Sequence, residues 1–314
     1  MEIVEHILVA RGQNMVGGKP KPEAAACVLR LVGIAIRDAA SMGFRSSSRV
    51  RGRTPDWLCT AADARFVRVS GNGDDATKFH FEVPRFASAA PQIYQQQVLF
   101  AMRPPENDTA FDLWGDALVD IAKMDRGSDR FDSPFLRQLE RFRFAGIDSI
   151  ELYGDRLPSE RPPVFNKQVA KCATDLFRET PEPNHARVMG KLDTIRHHDR
   201  MFTIVLASGE DVRGVWCHEE TGTLTDLWGK EIVAEGQAIY RPSGSLLRLD
   251  AEAMRPASPH DKIFSKAPTP IARHLVGMEL RRPQTKTAGM SVIYGKWPGD
   301  ETEEEILVRL KELG

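Results

Sequence analysis

The chain has 314 residues, with 43 Lys and Arg against 44 Asp and Glu, a formal charge of −1, and 41% hydrophobic and 28% charged residues. That length suffices for a core without disulfide or metal staples and suggests more than one domain. The composition excludes wholesale disorder, collagen and a membrane-spanning class, and the balanced charge gives no general attraction to polyanions.

Cys27, Cys59, Cys172 and Cys217 stand singly with no CxxC pair, as in a protein of a reducing compartment. The opening MEIVEHILVARG carries Glu2 and Glu5 where a secretory signal has positive charge. The longest apolar region, 24–36, is interrupted by Arg30 and falls short of the roughly 18 residues of a membrane span. The expectation is a cytoplasmic protein with no membrane contact and no cofactor.

Pro22 followed by Ala24, Val28, Leu31, Ala35 and Ala39 predicts a helix to about Met42, stopped by Gly43. Residues 44–53 are rich in Ser and Arg and read as a loop or arm. Phe66, Val67 and Val69, then Gly71–Asp75, then Phe79, Phe81 and Val83 describe a β-hairpin. Because 77–83 alternates as a strand, the GxGxxA spacing of Gly71–Ala76 is a hairpin loop and not a dinucleotide site, which needs a helix start there. Gly17-Gly18-Lys19 lacks the earlier glycine and following Ser/Thr of a P-loop.

A helix over 109–124 places Trp114, Leu118 and Ile121 on one face and stacks Asp112, Asp116 and Asp120 on the opposite, solvent-facing one. A helix over 133–144 ended by Gly146, a strand over 147–153 and a helix over 165–178 complete this half. After Pro183 come five short strands, 187–196, 201–207, 211–217, 231–240 and 246–254, with a short segment at 224–227. The fold class is therefore α+β: an N-terminal α+β domain (1–183), a small five-stranded barrel (184–256), a proline-rich linker (257–290) and a tail with a short helix (291–314). The run from GKLDTI to YRPSG, in its order of strand, hairpin, gap and paired strands, resembles small OB-like barrels, which implies that fold for 187–254.

The tail carries the sharpest pattern. Thr302 and Glu305 have capping-box spacing, and the surrounding acidic residues suit a helix N-terminus. Ile306, Leu310 and Leu313 share a face with Leu307 beside them, while Arg309 and Lys311 point elsewhere. A helix of about 12 residues is marginal alone in water, so it docks either on this chain or on a partner, with Trp297 as an aromatic anchor. YGKWPGDETEEEILVRLKEL resembles the tails of bacterial antitoxin-like proteins paired with PIN-type ribonucleases. The resemblance implies a tail wrapping a toxin nuclease, with Trp297, Ile306, Leu310 and Leu313 as anchors and Arg309 or Lys311 entering its acidic centre. No AbrB or ribbon-helix-helix DNA-binding pattern stands at the N-terminus, a departure from that family design.

Arg45, Arg49, Arg51, Arg53, Arg65 and Arg68, against Asp56 and Asp63, suit phosphate contacts, with Trp57 and Phe66 for stacking. The alternative is a solvated loop pairing with acids elsewhere. An up-down-up meander brings His197 and His198 to the same pole as Cys217 and His218, groups able to bind zinc, although paired histidines are also common in turns. The leading expectation is a non-enzymatic, antitoxin-like or accessory protein that binds a partner protein through its tail. The alternatives are a nucleic-acid-binding protein using barrel and arginines, and a metal-dependent enzyme.

Overall fold

The computed structural model describes residues 2–49, 54–71, 76–94, 103–196, 200–218 and 222–271. They lie in the first of the two units, Met1–His274 and Leu275–Gly314, into which the chain divides. Trp297, Ile306, Leu307, Arg309, Leu310 and Leu313, together with Arg51, Arg53, His197 and His198, lie outside the described residues.

The N-terminal half is an antiparallel sheet of β1 (Ile3–Arg11), β2 (Arg65–Ser70), β3 (Ala76–Pro84), β4 (Ser149–Tyr153) and β5 (Val164–Asn166), in the order β2-β3-β1-β4-β5. Its helices are α1 (Pro22–Arg45), α2 (Asp56–Ala61), α3 (Phe86–Ala89), α4 (Pro91–Tyr94), α5 (Ala110–Ala122), α6 (Ser133–Glu140) and α7 (Lys167–Glu179). The predicted hairpin is present as β2 and β3. The central strand β1 was not predicted, because His6 takes an inward position between Val4 and Leu8 and hides the alternation.

The inner sheet face, with Leu8, Phe79, Phe81, Ile150, Leu152 and Phe165, packs with Val28, Leu31, Ile36, Phe111, Trp114 and Leu118 of α1 and α5 in one core. Each such side chain contributes about 1.5–3 kcal/mol on burial. Along the other face Glu5, Arg11, Arg65, Arg68, Lys78 and Glu82 are exposed.

Two helix ends differ from expectation. α1 runs through Gly43 to Arg45 and stops at Ser46, whose φ of 52° is left-handed and whose N–H donates to Met42 O at 2.8 Å. Gly43 serves contact instead: a Cβ there would lie 2.6 Å from Leu113 Cδ1 of α5. α6 ends at Glu140, and the left-handed pair Ala145 and Gly146 turns the chain into β4 rather than capping the helix.

The second half is a closed five-stranded barrel of β6 (Asn184–Arg196), β7 (Met201–Val205), β8 (Asp211–Trp216), β9 (Glu231–Tyr240) and β10 (Leu246–Pro256), with α8 (Gly222–Thr225) between β8 and β9. Its order, β10-β8-β7-β6-β9, contains one parallel pair, β8 with β10, and is that of an OB-like barrel. β6 serves two neighbours: Lys191 faces both Val205 of β7 and Glu231 of β9. The strand turns this corner at Gly190, where a Cβ would meet Val205 O at 2.5 Å. Val188, Leu192, Phe202, Ile204, Val212, Ile232 and Leu249 fill the barrel.

Candidate functional site

Barrel and N-terminal domain meet along β10. A bulge between Leu246 and Arg248 turns Leu247 into the N-terminal core, while Arg248 is 6% exposed. The Arg248 guanidinium donates from Nε to Asp250 Oδ1 (2.7 Å) and from Nη1 to Ser46 O (2.7 Å), and pairs with Asp132 Oδ2 at 3.4 Å. Asp132 caps α6 through Phe135 N (3.2 Å) and accepts from Ser48 Oγ at 2.5 Å and Ser48 N at 3.1 Å. A buried guanidinium demands such partners, since stripping either charge leaves the other desolvated.

Beside this junction opens a cleft of about 570 Å³ between the end of α1, α5, the 125–130 loop and strands β6–β8. Carboxylates and guanidinia alternate along it. Asp129 accepts from Arg213 (3.2 Å) and from Arg241 Nε (2.7 Å). Asp120 accepts from Arg130 Nη1 (2.7 Å) and Ser128 Oγ (2.7 Å), and Asp116 from Arg156 Nη2 (3.0 Å). Asp108 lies 3.0 Å from Arg156 Nε, yet burial pushes its carboxyl up to about 6, the guanidinium opposing the rise. The stripe Asp112, Asp116 and Asp120 is thus not a solvent face. Asp112 is 2% exposed within the α5 capping box with Thr109, and Asp120 is 9% exposed.

OB-like barrels offer the face of their second and third strands, and the loops beside it, to oligonucleotides and oligosaccharides. Here that region meets the chain's own N-terminal domain: Arg213 and Arg241 reach Asp129, and Ser243 N donates to Arg126 O at 3.0 Å. An incoming polyanion would have to displace carboxylates already seated there.

Among the described residues, Arg45, Arg49, Arg65 and Arg68 do not gather on one arm. Arg45 is 3% exposed in the last turn of α1, and Ser46, Ser47 and Ser48 are buried with it under the barrel. This corrects the reading of a loop or arm for 44–48: Phe44 and Arg45 belong to α1, and Ser46–Ser48 are covered because Arg248 and Asp132 satisfy them. Arg49 is exposed. Arg65 and Arg68 lie on the open sheet face, with side chains 65% and 63% exposed, near Asp63 (3.1 Å) and Glu5 (3.8 Å).

At the barrel pole, His218 Nε2 lies 2.7 Å from Glu252 O, and Cys217 N donates to Ala251 O at 3.0 Å. Among the described residues no group of three or more His, Cys, Asp or Glu side chains is placed to hold a metal ion. No helix among them is long and apolar enough to cross a membrane.

On the open sheet face one polar line escaped the sequence reading. His80 of β3 is held between Ser70 of β2 and Glu5 of β1, with Ser70 Oγ 2.8 Å from Nε2 and Glu5 Oε1 2.7 Å from Nδ1. The signal available in sequence was the hairpin alternation, but the bulge at Val67 that places Ser70 on this face is not written in it. Comparison with protein-family models, with curated proteins and with solved structures gives no match to this chain.

Proposed function

We propose that the chain is an antitoxin-like or accessory protein that binds a partner protein through its C-terminal segment. The observation that carries this reading is the sequence pattern of residues 297–313: an aromatic residue, capping-box spacing amid acidic residues, and Ile306, Leu310 and Leu313 at the spacing of one face of a predicted helix, one too short to stand alone. Burying four such side chains on a partner would yield roughly 6–10 kcal/mol before ordering costs, enough for a specific contact. By the family resemblance, the partner is a nuclease toxin with an acidic centre.

The nucleic-acid reading draws less support, since Arg45 is buried and the barrel loops meet carboxylates of their own chain. The test is a pull-down from the native host with the full chain, a version ending at Pro283, and Leu310→Asp. A nuclease retained by the full chain and lost by both variants is the expected outcome. Identical protein lists from all three would overturn the reading, and bound RNA or DNA lost with rising salt would replace it with the nucleic-acid one.

A further inference from the structure

We propose that Ser70, His80 and Glu5 form a nucleophile, base and orienting acid for acyl transfer on the open face of the sheet, acting on small ester substrates. The two contacts on the imidazole, 2.8 Å to Ser70 Oγ and 2.7 Å to Glu5 Oε1, fix its proton positions. A carboxylate only accepts, so Nδ1 carries the hydrogen, and the lone pair of the neutral ring at Nε2 faces the serine hydroxyl. A base within reach of a nucleophile, and itself oriented by a third group, is the arrangement that activates serine.

The fold builds this line from register. His80 stands opposite Ile7 of β1 and Arg68 of β2, so Glu5 and Ser70, each two residues along, are its diagonal neighbours on the same face. With Phe66 turned inward against Phe81, uninterrupted alternation would turn Ser70 inward as well. The bulge at Val67 reverses the phase and sends Arg68 and Ser70 outward, the kind of re-aiming that bulges supply beside reactive groups. The His80 side chain is 7% exposed and held in place, whereas Ser70 sits half-buried at the end of its strand, where a substrate can reach it.

Beside Ser70 two glycine backbones touch. A Cβ on Gly18 would lie 2.6 Å from Gly71 N, and one on Gly71 would lie 2.3 Å from Gly18 N. The backbone of Gly18 thus packs against that of Ser70 and Gly71, next to the nucleophile, and backbone amides are the type of group that stabilises an oxyanion. The charged groups on this face are Glu5 and Arg11 on β1, Arg65 and Arg68 on β2, Lys78 and Glu82 on β3 and Glu151 on β4, and Arg68 Nη2 lies 3.8 Å from the same Glu5 Oε1 that meets His80.

In the reaction, Ser70 Oγ bonds to the ester carbon and its proton passes to His80 Nε2. The ester C–O bond then breaks, and the departing alkoxide takes that proton as the alcohol. Water attacks the acyl-serine, gives a proton to His80, and the acid leaves as Ser70 Oγ recovers it.

The full chain is treated with an alkyl fluorophosphonate, which loses fluoride as serine oxygen bonds to phosphorus, and separately with p-nitrophenyl acetate. The expected result is one adduct, mapped to Ser70 by peptide mass spectrometry and absent from Ser70→Ala, whose unchanged melting curve shows an intact fold. His80→Gln slows labelling by about 100-fold or more. Glu5→Gln, a positioning change, slows it less and lowers kcat for p-nitrophenyl acetate while leaving KM in place, and Glu5→Asp restores part of the loss. A merely structural pin would lower the melting temperature and leave kcat unchanged. Folded parent protein that gives no adduct at Ser70, and hydrolyses the ester no faster than Ser70→Ala, overturns the proposal.

Discussion

At the junction of domain and barrel, and in the cleft beside it, carboxylates meet guanidinia: Asp129 takes Arg213 and Arg241, Asp132 takes Arg248, Asp120 takes Arg130 and Asp116 takes Arg156. The open sheet face has its own ion pairs, Arg11 with Glu151 and Arg68 near Glu5, but there a polar line also runs from Glu5 through His80 to a serine hydroxyl. The difference is one of direction. Reciprocal ion pairs fix the relative position of elements and end there, whereas a line that orders a proton leaves its last member able to react.

The largest expected effect breaks the first region. Asp132→Ala removes the α6 cap and leaves Arg248, with its side chain 7% exposed, short of a counter-ion, which should cost about 3–5 kcal/mol in urea unfolding. If the two regions are independent, labelling of Ser70 under native conditions stays unchanged in that variant.

Asp38 sharpens the contrast among carboxylates. It is 8% exposed and has Arg37 only at 3.7 Å, and burial pushes its carboxyl up to about 6, with Arg37 opposing the rise and Asp132 adding to it. A raised value means that the folded state holds the proton more tightly than the unfolded state. The parent should therefore gain stability as pH falls from 7 towards 4, whereas Asp38→Asn should lack that gain. The variant should be more stable at pH 7 by on the order of 2 kcal/mol, a difference that vanishes near pH 4 in parallel urea titrations.

Thr109→Ala removes the α5 cap and the hydroxyl 2.9 Å from His6 Nε2, for a loss of about 1 kcal/mol by thermal melt. Smallest is Arg126→Ala. Its pair with Glu179 lies in solvent, so the melting temperature should not move measurably.

Elements set by local chemistry were legible. The glycine-rich turn marked the β2–β3 hairpin, Pro22 marked the start of α1, and turn residues after Pro183 marked five strands that differ from the observed ones by a few residues at most. Elements set by partners far along the chain were not. Arg45 and Ser46–Ser48 read as a solvated arm because nothing near them announces Arg248, and Asp116 and Asp120 read as a wet stripe because Arg130 and Arg156 follow later. The line of Ser70, His80 and Glu5 needed both a strand hidden by His6 and a bulge that shifts the phase at Val67.

The contact of Arg248 with the Ser46 carbonyl joins residues 202 positions apart. At about 5–20 residues added per second, a ribosome exposes the serine segment roughly 10–40 s before the guanidinium that will cover it has been made. Over the last 116 residues of that interval the nascent N-terminal layer carries Asp132 without Arg248, so translation speed between these codons sets how long the young protein is open to proteases and chaperones.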